Sequence, residues 1–390
     1  MALLREEDRK YTTPEDICAH LGEDYDTFYG AANPPIYQTS LFTHTDNPVQ
    51  YYYTRTVNPT TEIAERKIAA LEGGDGGLVF ASGMAAISAA MLHFTRPGAH
   101  MVVVTNAYGG ATGIGSGYLP RHFGMRCTLV NGESTEEILD AVEKDTCLIY
   151  LESPSSLIFR MQDIDAVTAF AKERGIGTVM DNTYSTPIFQ NPLSHGVDIV
   201  VHSASKYLGG HSNLLGGALV ACKEIIESIQ NNELLLLGGI MSPNVSWMLI
   251  MGMRTLSARL PVHQRNGLEI ARFLEGHDRV AQVNYPALDS YPDKALYHKY
   301  MRGCTGLMSI TLDATPEECR RFIRSCRIFR NGCSWGGFES LMIGLTIGAD
   351  DESLKRSHLP RNLIRIHVGQ ESVDAMKEDL EGAFKALDQG

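Results

Sequence analysis

Apolar residues along this chain come in two alternating patterns. Short unbroken runs rich in Val, Ile and Leu recur near 78–80, 101–105, 126–130, 147–151, 177–181 and 198–203. Between them, apolar residues return every third or fourth position, as on one face of a helix. Ile63, Ile68 and Leu71 mark such a face over 61–71, and another covers 164–173. Ser134-Thr-Glu-Glu137 reads as a capping box opening a helix that buries Ile138, Leu139 and Val142. Unbroken runs predict strands buried on both faces, hence a mostly parallel sheet with helices on either side. The run 217–221 is expected to return as an edge strand.

The pattern changes after about residue 243. A helical stretch over 245–274 is expected to break near Pro261. Strands are predicted at 280–285, 306–312 and 362–368, and helices at 316–326 and 373–387. This reads as a smaller α+β domain. Residues 1–60 carry Pro14, Pro34, Pro35, Pro48 and Pro59 and little periodicity. They are expected to form an irregular arm lying on a neighbouring subunit. The expected organisation is an arm (1–60), a large α/β domain (61–250) and a C-terminal α+β domain (251–390).

Composition narrows the functional classes. The chain has 390 residues, 44% hydrophobic, with a formal charge of −12. With no basic run, nucleic acid and anionic membranes are poor partners. The N-terminus is charged and lacks a signal-type core, and no apolar run reaches spanning length. The eight cysteines contain no CxxC pair. Cys319, Cys326 and Cys333 are evenly spaced, but nothing completes a metal site. Reduced thiols of a cytoplasmic protein are expected.

The chemistry concentrates where strand runs end. Asp198-Ile-Val-Val-His-Ser-Ala-Ser-Lys206 runs from a buried strand into Ser203, Ser205, Lys206 and two glycines. Ligands of parallel sheets bind at that end. Desolvation there lowers a lysine pKa and frees its amine. With two hydroxyls beside it, the stretch reads as a site for a phosphorylated aldehyde held as a Schiff base, pyridoxal phosphate. Ser82-Gly-Met84 opens a helix after another run, so the amides at Gly83 and Met84 make an anion seat. Asp181 ends a neighbouring run at the depth of the pyridine nitrogen, although it could instead cap a helix. Tyr108 ends another run and could cover the ring or move a proton. Arg365, in an alternating apolar strand, is the best candidate to clamp a substrate carboxylate. Arg55, among tyrosines, could stack on a ring or reach a phosphate. His202 and His211 are expected to hydrogen-bond the backbone.

These residues resemble the Cys/Met-metabolism pyridoxal-phosphate enzymes, a family including cystathionine lyases and synthases and methionine γ-lyase. The resemblance runs from about residue 30 to 388. It rests on Tyr53-Thr-Arg55-Thr-Val-Asn-Pro-Thr60, Ser82-Gly-Met84, Asp181-Asn-Thr-Tyr184 and Ser203-Ala-Ser-Lys206-Tyr. It implies the aspartate-aminotransferase-type fold (fold type I) and a homotetramer built from two tight dimers. It also implies that Tyr53 and Arg55 reach the cofactor phosphate of an adjacent subunit, so that active sites are shared. Lys206 is then the Schiff-base lysine, Asp181 the ring-nitrogen carboxylate, Tyr108 the stacking ring and Arg365 the carboxylate clamp. Within the family the motifs are most similar to those of bacterial cystathionine β-lyases, through Trp335 in Ser334-Trp-Gly-Gly-Phe-Glu-Ser-Leu341 and through Glu152-Ser-Pro-Ser-Ser-Leu157. Ser334 would help hold Lys206, and Trp335 and Cys333 would border the substrate.

The chain also departs from the β-lyase pattern. Cys333 stands where those enzymes carry tyrosine and many γ-acting members glutamate, and Thr56 stands where they carry a second arginine. The run Gly109–Gly117 replaces a segment that holds an aspartate, and it is expected to leave a loose, weakly charged entrance. Expected chemistry is β-elimination from cystathionine or another S-substituted cysteine. Open alternatives are γ-elimination or γ-replacement, transamination, and a cofactor-binding regulator without turnover.

Overall fold

The computed structural model describes residues 3–43 and 51–387; Pro48 lies outside them. Seven strands form the large sheet: β1 (Gly76–Phe80), β2 (His100–Val104), β3 (Arg126–Val130), β4 (Thr146–Glu152), β5 (Gly177–Asp181), β6 (Ile199–Ser203) and β7 (Gly217–Ala221). Their order is β1-β7-β6-β5-β4-β2-β3. Every residue of β1, β2, β4, β5 and β7 is buried, as the unbroken apolar runs require. The run 217–221 is therefore not an edge. β7 lies between β1 and β6 and is antiparallel to both, so β1 and the other strands run the same way. The edges are β1 and β3, and β3 opens on the exposed Arg126.

Local chemistry sets the helix ends. Pro59–Glu72 starts on Asn58, whose side chain accepts from the Thr60 amide, and stops at Gly73 in the left-handed region. Ser82 caps Gly83–Phe94 by accepting from the Ala85 amide. The long helical stretch breaks at Thr255, not at Pro261, giving Pro243–Arg254 and Leu256–Glu275. Pro261 lies early in the second helix, where it removes one ladder bond, and Leu256 and Leu260, just before it, are fully buried.

A five-stranded sheet forms the second layer of structure, in the order β10-β11-β12-β9-β8. Its strands are β8 (Val280–Asn284), β9 (Leu307–Leu312), β10 (Arg330–Asn331), β11 (Leu341–Gly344) and β12 (Leu363–His367). Helices Pro316–Ser325 and Val373–Leu387 pack together beside it. The sequence pattern missed β10 and β11, which are short and incompletely buried.

The N-terminal segment also differs from expectation. It contains helix Pro14–His20, and Ile17, Cys18, Leu21 and Phe28 are buried against helix Pro59–Glu72 and its neighbours. Asp8 pairs with Arg66, and the buried Lys67 pairs with Glu23 at 3.5 Å. This part of the arm docks on its own chain because those apolar and charged side chains have their partners there. Beyond it, Tyr29, Ile36, Tyr37, Leu41 and Tyr52 are exposed.

The glycine-rich run, expected to leave a loose entrance, is helical. Residues 109–123 form continuous helical backbone, with one wide turn at Ile114–Tyr118. Ala111 and Leu119 anchor it in the core, and the Thr112 and Ser116 hydroxyls donate back to Gly109 and Thr112 carbonyls.

Candidate active site

The parallel strands bring their carboxyl ends to one edge, and the polar residues ending them meet there. Lys206 lies three residues past β6, its amide donating to the Ser203 carbonyl at 3.1 Å. Its Nζ donates to Ser334 Oγ at 3.0 Å and stands 5.5 Å from the Trp335 ring. Burial lowers the Lys206 pKa, and the Arg365 charge lowers it further against the opposing pull of Cys333 and Asp181. The neutral amine is thereby favoured relative to that of a free lysine.

Asp181 ends β5, buried, and accepts from the Thr183 amide at 2.9 Å. No cation pairs with it among the described residues. Burial raises its pKa, while Thr183, His202 and Lys206 oppose the shift. A buried carboxylate without a cation is costly, and a protonated ring nitrogen would supply the missing partner.

The anion seat forms where β1 and β6 end. A Cβ on Gly83 would stand 3.0 Å from Ser203 Cβ and 3.1 Å from its Oγ, so the helix start and the serine press together. The Gly83 and Met84 amides lie in the first turn of the helix, where no carbonyl of that helix can reach them. Ser82 spends its hydroxyl on the cap. Ser205 Oγ accepts from the Gly216 amide at 3.0 Å, which fixes the following loop. Tyr108 is half exposed, and a Cβ on Gly110 would meet both Met84 Sδ and the Tyr108 ring.

On the small-domain side, Arg365 lies on β12 and donates to the Cys333 carbonyl at 2.8 Å. It has no carboxylate partner among the described residues, so it is not a rim ion pair. Burial lowers its pKa, with Cys333 and Glu152 opposing. Cys333 and Ser334 are exposed beside it.

Tyr53 and Arg55 stand apart from this cluster. Arg55 lies over the Tyr53 ring at 5.0 Å, and both line a separate cavity of about 410 Å³ with Ser40 and Ile240. Within one chain they share no hydrogen bond with Lys206, Asp181 or Ser203. His211 does hydrogen-bond a backbone carbonyl, that of Gly209. His202 instead meets the buried carboxylate of Glu72 at 2.6 Å, on the far face of the sheet.

Sequence reasoning missed Glu152. It ends β4 opposite Asp181 in register and is buried. One oxygen accepts from the Tyr108 amide at 2.7 Å, the other from Ser156 Oγ. Burial raises its pKa, and the nearby Asp181 adds to the shift. The available signal was its position, since it terminates its strand run as Asp181 does. The Tyr108–Glu152 bond spans β2 and β4, between which the strand order reverses.

The donor set fits pyridoxal phosphate. It offers an amine whose pKa burial lowers, a buried carboxylate with no cation partner among the described residues, an anion seat that a Cβ would fill, and a tyrosine ring at the same edge. The model for "Cys/Met metabolism PLP-dependent enzyme" matches residues 15–385. A Coxiella burnetii cystathionine beta-lyase is 35% identical over 94% of this chain and 96% of its own length. A Bacillus subtilis cystathionine gamma-lyase is 36% identical over 95% and 99%. The solved structure of a Xanthomonas oryzae cystathionine gamma synthase in complex with cystathionine superposes with a TM-score of 0.91, at 34% identity over 97% of this chain and 99% of that one. The chain belongs to the Cys/Met metabolism PLP-dependent enzymes, and its cofactor is pyridoxal 5′-phosphate.

Proposed function

We propose that this enzyme is a carbon–sulfur lyase that eliminates the β-thiolate of cystathionine or a related S-substituted cysteine. The products are a thiol, pyruvate and ammonia. The observation that carries the reading is Lys206, its pKa lowered by burial and its amine held by Ser334, beside a half-buried arginine that pairs with no carboxylate among the described residues.

Lys206 would hold the cofactor aldehyde. Asp181 would accept from the ring nitrogen, Tyr108 would cover the ring, and the Gly83 and Met84 amides with Ser203 and Ser205 would bind the phosphate. When bound, the cofactor supplies an aldehyde for the substrate amine and a ring that takes up electrons released at Cα. Arg365 grips the substrate α-carboxylate and aligns Cα with the freed Lys206 amine. That amine removes the Cα proton and Ser334 keeps it on line. Trp335 and Cys333 border the departing sulfur.

Tyr53 and Arg55 complete the phosphate seat of a second copy, which makes the assembly at least a dimer and, by family likeness, a homotetramer. The exposed apolar residues Tyr29, Ile36, Leu41, Leu215, Leu236 and Leu237 support burial between copies. All eight cysteines are free. No helix among the described residues is long and apolar enough to cross a membrane.

Gamma-chemistry is the second reading, favoured by the gamma-lyase and gamma-synthase relatives. The test is to offer cystathionine, S-alkylcysteines and methionine to the holoenzyme and identify the keto acid. Pyruvate supports β-elimination, whereas 2-oxobutyrate assigns γ-elimination. Turnover of none of them, by protein that carries the cofactor, removes the lyase reading.

A further inference from the structure

The loop after β4 is held in an unfavourable shape by the small domain. Leu157 (φ 75°) and Phe159 (φ 56°) both sit in the left-handed region without being glycine. Bulky side chains persist there only when surroundings impose it. The loop closes on itself through the Ser155 amide to the Arg160 carbonyl at 2.9 Å. Three small-domain groups then grip it. Ser309 Oγ on β9 donates to the Leu157 carbonyl, and Tyr291 OH donates to the Phe159 carbonyl. Asp293 takes Arg160 in a fork, at 2.7 and 2.9 Å, and accepts the Met161 amide at 2.9 Å.

Asp293 spends its carboxylate in an unusual way. It occupies the N-cap of helix Lys294–Tyr300, where aspartate normally satisfies the helix's own first amides, yet it makes no cap bond there. Both oxygens go to the loop instead. From inside the loop, Ser156 donates to Glu152, and Glu152 accepts the Tyr108 amide. Ser309 also pairs in register with Arg365. One sheet therefore carries the carboxylate clamp and also grips the loop.

We infer that Asp293, through Arg160 and Ser156, is a positioning residue that seats Tyr108 at the cofactor. This rests on the proposed placing of Tyr108 over the ring. The test uses the holoenzyme of Asp293→Asn, Ser156→Ala and the double variant. Turnover is read on the best thioether of the panel above, and the visible circular dichroism of bound cofactor is read separately. Asp293→Asn is expected to keep full cofactor and a near-normal unfolding temperature, while kcat falls about tenfold and the visible dichroism changes. Ser156→Ala should reproduce this, and the double variant should be no more than about twofold worse than either single. Arg160→Lys, which keeps charge but not the fork, should behave as Asp293→Asn and serves if that variant does not fold. Wild-type dichroism and turnover in Asp293→Asn, or effects that multiply in the double variant, overturn the inference. A wild-type holoenzyme inactive on every thioether defeats the lyase reading alone, since the dichroism still reports on Tyr108.

Discussion

Lys206 and Ser334, 128 positions apart in sequence, meet through a 3.0 Å hydrogen bond across the two domains. The serine comes from a loop that lies directly on the lysine's backbone. A Cβ at Gly336, where φ is +83°, would stand 2.7 Å from the Tyr207 amide nitrogen and 3.0 Å from Lys206 Cα. His367 ties down the same loop by accepting the Gly336 amide at 3.1 Å.

Ser334→Ala leaves the Lys206 amine without its partner. We expect kcat to fall by roughly tenfold to a hundredfold with cofactor content unchanged. The pH–rate profile should shift as well, because the free amine sets the basic step. Steady-state kinetics across pH 6–10 checks both. A Ser334→Ala enzyme with the wild-type profile would remove this contact from the mechanism.

Lys206→Ala should lower turnover by at least about a thousandfold. Borohydride treatment of the wild type should fix the cofactor to the peptide containing residue 206, and the variant should lose this labelling.

Arg365 donates to a backbone carbonyl and pairs with no carboxylate among the described residues. Removing it therefore strands no buried anion. Arg365→Ala should unfold within a few degrees of wild type and yet lose about a hundredfold or more in kcat/KM. Arg365→Lys should recover little, since an ammonium lacks the planar fork. Calorimetry and kinetics on the same preparations separate the two effects.

Gly336→Ala combines a disallowed φ with a clash against the Lys206–Tyr207 backbone. We expect displacement of the Ser334–Trp335 loop. Activity should drop about tenfold or more, together with a loss of roughly 1–3 kcal/mol in stability, read by denaturant unfolding.

Glu65 is buried, accepts the Val79 amide and has no ion-pair partner among the described residues; burial pushes its pKa up to about 8. The folded state thus holds this proton at pH values where the unfolded chain has released it. Stability attributable to Glu65 is complete below its ordinary pKa and falls as pH rises toward 8. Glu65→Gln should flatten that decline, raising the unfolding midpoint at pH 8 by about 3–6 °C but not at pH 5. Equal shifts at both pH values would contradict the assignment.

Much of the site could be read in order along the chain. Lys206, Tyr108 and Gly83 each follow a strand and Asp181 ends one, and parallel strands deliver such ends to one edge. Glu152 escaped because a carboxylate before Ser-Pro looks like an ordinary turn residue; only the fold buries it beside Asp181 and gives it the Tyr108 amide. The N-terminal helix escaped because its buried face, Ile17, Cys18 and Leu21, is too short to show a period. The helical backbone of Gly109–Gly117 escaped because glycine content says nothing of the packing of Ala111 and Leu119 that anchors it.

The sequence by itself determined the alternation of strands and helices, the chemistry at the strand ends and the family. Burial of apolar side chains is a repeated, local signal, and it leaves its period in the order of residues. Tertiary structure alone decided that β7 lies inside the sheet, that Arg365 meets a carbonyl and, among the described residues, no carboxylate, and that Asp293 spends its charge on a distant loop. Those outcomes depend on which remote groups a packed chain brings within about 3 Å, a distance that leaves no period in the sequence.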